Sequence, residues 1–215
     1  MAQTKRIICV SHLTGAEGEA VARGVAERLG LRYLDEEIIE TAAEWVDLDP
    51  SMVGEVERRK SLMTRIGESM RGQALPSRPD TASHRPSSAV RRETPADEDL
   101  RTVIRDAIRE TAEQGNVVIA SHAASMALAG RQDVVRVLVT ASEETRLRRI
   151  SAARNLDQER AEKVLAEQDA ARADYMKRFY RVDIELPTHY DLVVNTDNLP
   201  PERAVDLISL AAGET

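Results

Sequence analysis

The stretch Lys5-Arg6-Ile7-Ile8-Cys9-Val10-Ser11-His12-Leu13-Thr14-Gly15-Ala16-Glu17-Gly18-Glu19-Ala20-Val21 decides how this chain folds. Ile7 to Val10 form an almost unbroken apolar run, the pattern of a strand buried on both faces of a parallel sheet. Residues 12–18 read as a turn. After it Val21, Val25, Ala26 and Leu29 recur at helical spacing, and Gly30 supplies the stop. Strand, tight loop and helix in this order present backbone N–H groups and the positive end of a helix to an anion such as phosphate. The context is that of a phosphate loop, yet the pattern G-x-x-x-x-G-K-[ST] is absent. With Gly15 opening the tight part of the loop, Gly18 stands where the lysine would be and Glu19 where the Ser or Thr would be.

Outward from this stretch, strand and helix alternate. Leu31 to Leu34 read as a short strand, and Asp35 as the N-cap of a helix through Ile38, Ile39, Ala42, Ala43 and Val46, broken at Asp49-Pro50. A second helix is expected from about Ser51, with Met52, Val53, Val56, Leu62, Met63 and Ile66 on one side. Its charged residues read as a solvated face. Residues 71–95 carry four of the eight prolines and almost no large apolar side chains. Such a segment buries too little to offset its ordering entropy, so it is expected to be a disordered insertion; its excess of arginine could also close over an anionic ligand.

Regular structure resumes with a helix from the acidic run Asp97-Glu98-Asp99 to Ala112, ended by Gly115. Asn116 to Ala120 and Val134 to Val139 read as further buried strands. Ser142 and Asp157 read as caps of two helices, the second a long one through Tyr175 and Phe179. Leu192 to Val194 form a last strand. Pro200-Pro201 open a final helix with Ala204, Leu207, Ile208 and Ala211 expected to face in. Five strands interleaved with helices predict a single α/β domain over residues 1–215. Its ligands are expected outside the carboxyl ends of a mostly parallel, five-stranded sheet.

Composition narrows the function classes. A net charge of -7 gives no electrostatic reason to expect nucleic-acid binding. No basic-then-apolar leader and no 18-residue apolar run is evident, so no membrane partner is expected and the protein is expected in the cytoplasm. Oligomeric state is not readable. Cys9, flanked by Ile8 and Val10, is expected to be a buried, inert thiol.

The second half of the chain resembles the cytidylate kinase-like family of P-loop nucleoside monophosphate kinases. The resemblance is carried by Val117 to Ala124, Val134 to Arg149 with Thr140-Ala141 before the helix, Asp169-Ala170-Ala171-Arg172-Ala173-Asp174-Tyr175, Arg178-Phe179-Tyr180 and Tyr190 to Thr196. The first half is similar through Thr14 to Glu19 and Leu34 to Ile39. The resemblance implies a three-layer α/β/α P-loop kinase fold with a helical lid and a monophosphate-binding subdomain. It also implies transfer of phosphoryl from ATP to a pyrimidine nucleoside monophosphate such as CMP, with Mg²⁺.

By the same resemblance His12, Thr14, Gly15, Ala16, Glu17, Gly18 and Glu19 are the candidate nucleotide-phosphate contacts. Asp35, His122 and Asp169 are the candidate monophosphate contacts, and Arg149, Arg172 and Arg178 the candidate catalytic arginines. Glu19, at the Ser or Thr position, is a candidate Mg²⁺ ligand. Each has a plainer reading. Glu17 and Glu19 suit a helix first turn, His12 and His122 suit loop packing, Asp35 is explained as a cap, and Asp174 with Arg178 form an i,i+4 ion pair.

The loop departs from the family's Gly-Ser-Gly-Gly followed by a basic residue, and Ser121-His122-Ala123 replaces Gly-Arg-Gly. A carboxylate about 5 Å from a phosphate charge costs on the order of 3 kcal/mol at an effective dielectric of about 20. Two functions therefore stand side by side: a nucleotide kinase, and a catalytically impaired kinase fold that senses a nucleotide or a protein.

Overall fold

A computed structural model describes residues 6–51, 97–120 and 123–213. The helix expected beyond Ser51, the segment 71–95 and His122 lie outside the described residues. In order the elements are β1 (Ile7–His12), α1 (Gly18–Leu29), β2 (Arg32–Leu34), α2 (Glu36–Trp45), α3 (Asp97–Gln114), β3 (Val117–Ala120) and α4 (Ala124–Ala127). They continue with β4 (Val134–Thr140), α5 (Glu143–Arg154), α6 (Gln158–Tyr180), β5 (Leu192–Asn195) and α7 (Pro201–Ala211).

The five strands pair in the order β2-β3-β1-β4-β5, and every ladder is parallel. β1 is central, with Ile7 in register with Val117 on one side and Val134 on the other. Successive side chains of a strand point to opposite faces. Ile7 and Cys9 therefore join the apolar layer under α2 and α3, whereas Ile8 and Val10 join the layer under α1 and α7. That is why the run has to be apolar at every position rather than at alternate ones. Full burial of each such Ile or Val contributes about 1.5–3 kcal/mol relative to exposure. Cys9 is completely buried, and burial pushes its thiol pKa up to about 12, so it is protonated and inert at neutral pH.

Local signals place the helix ends. Gly30 closes α1 in the left-handed conformation at φ 63. Ser142 accepts from the Thr145 N–H at 3.3 Å, and Asp157 from the Arg160 N–H at 2.9 Å, each satisfying a donor that the first turn leaves open. Asp35 stands at the N-cap of α2 without making a side-chain cap bond; its carboxylate accepts the Tyr33 hydroxyl at 3.1 Å instead. In α7 the expected inward face is rotated. Ala204, Ile208 and Ser209 are buried, but Leu207 is 46% exposed and Ala211 is exposed. Contact with α1 sets the rotation, because Val205 fills the space beside Gly24, where a Cβ would come within 2.7 Å of Val205 Cγ2.

Candidate functional site

β1 runs between β3 and β4, and at its carboxyl end the chain turns through residues 13–17 into α1. This is where a doubly wound sheet opens a crevice. Leu13 N–H donates to the Val139 carbonyl at 3.1 Å, and Ala16 N–H to the Leu13 carbonyl at 3.0 Å, so the loop is tight and tied to β4. Gly15 has φ 81, and a Cβ there would lie 2.9 Å from the Arg146 carbonyl oxygen; both facts require glycine. Glu17, the N-cap of α1, holds the left-handed conformation with φ 62 and ψ 22. A non-glycine residue there costs roughly 1–2 kcal/mol.

Gly18 explains the missing lysine in steric terms. A Cβ at this position would lie 2.1 Å from His12 Cβ and 2.4 Å from its Cγ. His12 thus fills the space a side chain at position 18 would need. Burial, and after it the Arg172 guanidinium, hold the His12 imidazole below its ordinary value of 6.5 against the opposing pull of Asp35 and Glu19, so it is neutral at pH 7.

Positive charge reaches the loop from α5. Arg149 donates to the Gly15 carbonyl at 3.3 Å, the Thr196 hydroxyl at 3.0 Å and the Thr196 carbonyl at 2.8 Å, and its Nη2 lies 3.1 Å from the Glu17 carboxylate. The Thr196 hydroxyl in turn donates to the Ala16 carbonyl at 3.0 Å. Arg146, one turn earlier, is only 8% exposed; it grips Asp169 of α6 at 2.9 and 2.8 Å and reaches the Thr14 carbonyl at 3.4 Å. Its Nε is buried with no hydrogen-bond partner among the described residues. From sequence Arg146, like Arg148 and Arg149, reads as a residue that solvates its helix; the structure buries it instead, because it spans from α5 to Asp169 and the loop. The i,i+3 spacing to Arg149, which puts both on one side of α5, is the signal that would have found it.

The long helix α6 supplies the remaining candidates. Arg172 forks onto Glu185 at 2.6 and 2.8 Å, and Tyr190 donates its hydroxyl to the same carboxylate. Burial raises the Glu185 carboxyl, but the bonds and charge of Arg172, helped by Tyr190, outweigh it and leave the group below its usual 4.5. Arg178 pairs with Asp174 at 2.7 Å and lies 4.6 Å from the Phe179 ring centre, as the i,i+4 spacing allows. A cavity of about 260 Å³ lies between the β1–α1 loop and α6, lined by Leu13, Asp169, Arg172, Met176, Val182 and Glu185 among others. A larger groove, about 590 Å³, opens at the amino ends of β4 and β5, by Arg131 and Arg136, away from the loop; both arginines there are paired, with Asp133 and Asp191. Location and chemistry favour the smaller cavity.

The fold therefore brings Thr14, Gly15, Ala16 and Glu17 together with Arg149, and Asp169 with them through Arg146. Asp35 is turned to Tyr33. Glu19 is held by Arg23 at 3.1 Å, and Arg23 stacks 4.2 Å over the Tyr33 ring. Among the described residues no three His, Cys, Asp or Glu side chains gather as a metal site. The donor set does not fit a resident metal; the carboxylates by the loop are Glu17 and Glu19, and Arg149 and Arg23 already engage them. For phosphate, the guanidinium side of the crevice fits and the Glu17 side repels.

A profile of the cytidylate kinase-like family matches residues 7–198. The cytidylate kinase of Methanocaldococcus jannaschii is 32% identical over 104 residues, which cover 47% of this chain and 58% of that protein. That of Sulfurisphaera tokodaii is 28% identical over 108 residues, covering 50% and 59%. The matched stretch thus spans less than two thirds of either relative. Among solved structures, an uncharacterized protein from Eubacterium ventriosum superposes with a TM-score of 0.66 at 15% identity, covering 98% of this chain and 100% of that one. Shikimate kinase from Bacteroides thetaiotaomicron superposes with a TM-score of 0.50 at 16% identity, covering 96% and 97%. At these identities the structural likeness carries the fold alone.

Proposed function

The chain belongs to the cytidylate kinase-like family, and from that premise we propose that it transfers the γ-phosphoryl group of ATP to a pyrimidine nucleoside monophosphate, CMP first among them. The observation that carries this reading is the arrival of two guanidinium groups from one helix, those of Arg146 and Arg149, at the carbonyls of Thr14 and Gly15. Phosphoryl transfer needs little covalent help from a protein; it needs the two phosphates held in line and the developing charge neutralised. Arginine's planar fork suits phosphate oxygens, and it supplies here the positive charge that the absent lysine would bring.

In this reading an oxygen of the acceptor monophosphate attacks the γ-phosphorus and ADP leaves, with Arg149, Arg172 and Arg178 as the candidate charge neutralisers. The loop from His12 to Glu19 faces the donor phosphates. Asp35, Asp169 and His122, the last outside the described residues, are the candidate acceptor contacts. Mg²⁺ arrives with the nucleotide as part of the substrate; Glu19, its candidate protein contact from sequence, would first have to leave Arg23. The small neighbouring cavity lined by Leu13 and Met176 suits part of a nucleotide better than a macromolecule. Among the described residues no helix is long and apolar enough to cross a membrane, which is compatible with the proposed cytoplasmic setting.

A second reading has its own observation. Glu17 already holds Arg149, and His12 fills the space of a lysine at position 18, which favours a kinase fold that binds a nucleotide without turning it over. Calorimetry with ATP and CMP, with and without Mg²⁺, paired with an assay for CDP formation, separates the two. Formation of CDP faster than of other nucleoside diphosphates supports the kinase. Binding of CMP or ATP with no diphosphate formed from any nucleoside monophosphate leaves the binder.

A further inference from the structure

We propose that Glu17 is a specificity-determining residue that occupies the anion cradle of the β1–α1 loop from within, so that the loop accepts polyphosphate and turns away oxyanions of low charge. The inference deepens the phosphate-binding reading of this loop and rests on it. Its ground is a count of donors. The terminal nitrogens of an arginine carry four N–H groups. On Arg149 three of them are directed at the chain's own Gly15 carbonyl, Thr196 hydroxyl and Thr196 carbonyl. The fourth belongs to Nη2, and the carboxylate 3.1 Å from that nitrogen is Glu17. A ligand oxygen that approaches this donor competes with the Glu17 carboxylate for it.

The geometry also says which partner moves. Arg149 is anchored at three points to the ends of the sheet and to the loop, whereas Glu17 makes its contact from a loop residue whose backbone is in the left-handed region. Its side chain is 39% exposed, so water is at hand to receive the displaced carboxylate. An anion of one charge gains little by replacing another carboxylate at one guanidinium. A triphosphate brings several charges to Arg149 and to the N–H groups at the start of α1 together, and it displaces Glu17. Glu19 does not share this role, since Arg23 engages it on the outer face of α1.

Two substitutions test this with inorganic tripolyphosphate and orthophosphate as probes, which need neither a nucleoside nor turnover. Glu17→Gln removes the charge and keeps the side chain's size, and Glu17→Gly removes the whole side chain and relieves the cost of the left-handed backbone. Each is expected to tighten tripolyphosphate binding by calorimetry about tenfold or more, and to tighten orthophosphate by a larger factor, so that the preference between the two probes narrows. Tripolyphosphate affinity unchanged or weakened in both variants, a preference between the probes that does not narrow, or no binding in any of the three proteins overturns the proposal and leaves the Glu17–Arg149 pair as a structural contact. CDP formation, followed in parallel, keeps the readings apart. Tightened tripolyphosphate with no kinase activity in any variant upholds the gate and ends the kinase reading. CDP formation by the parent without tightening in the variants does the reverse.

Discussion

Two arginine–carboxylate pairs flank the crevice, and they are built differently. Arg172 meets Glu185 through two parallel contacts, both side chains are largely buried at 21% and 17% exposure, and Tyr190 braces the carboxylate. Arg149 meets Glu17 through one contact, with the carboxylate half in solvent. A desolvated fork is costly to break because the survivor is left charged and unpaired, whereas an exposed single contact exchanges readily with water or a ligand. One pair fastens α6 to the segment that follows it. The other is placed where exchange is useful.

Removing one member of the buried pair gives the largest expected effect. Arg172→Ala is expected to cost about 3 kcal/mol, since Glu185 would remain buried without its cation. For a chain of this size that lowers the melting temperature by roughly 10 °C. A melting temperature within a degree or two of the parent's would mean the two pairs do not differ in kind. Arg172, a candidate catalytic arginine from sequence, is thereby expected to act on stability as well as on turnover.

The second test uses pH. Because the folded-state carboxyl of Glu185 lies below its ordinary 4.5, the pair's contribution is complete above that value and is lost as pH falls through the folded one. The difference in melting temperature between the parent and Glu185→Gln should therefore be largest near neutrality and shrink below about pH 4.5. A difference that stays constant down to the lowest accessible pH would show that folding does not lower the Glu185 carboxyl below its unfolded value. Arg178→Ala should cost less, about 1 kcal/mol, because its pair with Asp174 is an i,i+4 contact supplemented by the Phe179 ring. The smallest effect on stability is expected at Glu17→Gln, about 0–1 kcal/mol in chemical denaturation. A larger loss there would turn the exchangeable pair into a second fastening.

Features governed by neighbours in sequence were legible in the sequence alone. The apolar run Ile7 to Val10 announced a central strand, and Gly30, Ser142 and Asp157 announced helix ends. The spacing of Asp174 and Arg178 announced their ion pair. Features governed by residues far along the chain were not. Arg149 meets Glu17 across 132 positions, and nothing local to either residue reports the other. Glu185 lies beyond the end of α6, so a reading along helix faces passed over it as the partner of Arg172. Asp35 occupies the capping position it was assigned, but the Tyr33 hydroxyl competes for its carboxylate. Leu207 has the right spacing for an inward face, and only the seating of Val205 against Gly24 turns it out. The crevice at the carboxyl ends of the strands was thus readable, and the pairing of the residues around it was not.

The close seating of Gly18 on His12 has a consequence for any attempt to rebuild an ordinary phosphate loop here. A lysine introduced at position 18 would collide with the Cγ of His12 and with its Cβ, an atom that no change of rotamer moves. Replacing His12 by alanine would remove the ring but leave the Cβ contact at 2.1 Å, so the strand end itself must also shift. The two positions form one coupled unit whose substitutions do not add. A directed-evolution search that samples position 18 singly will find a dead end; one that varies positions 12 and 18 together, accepting a transient loss at the first step, has a route.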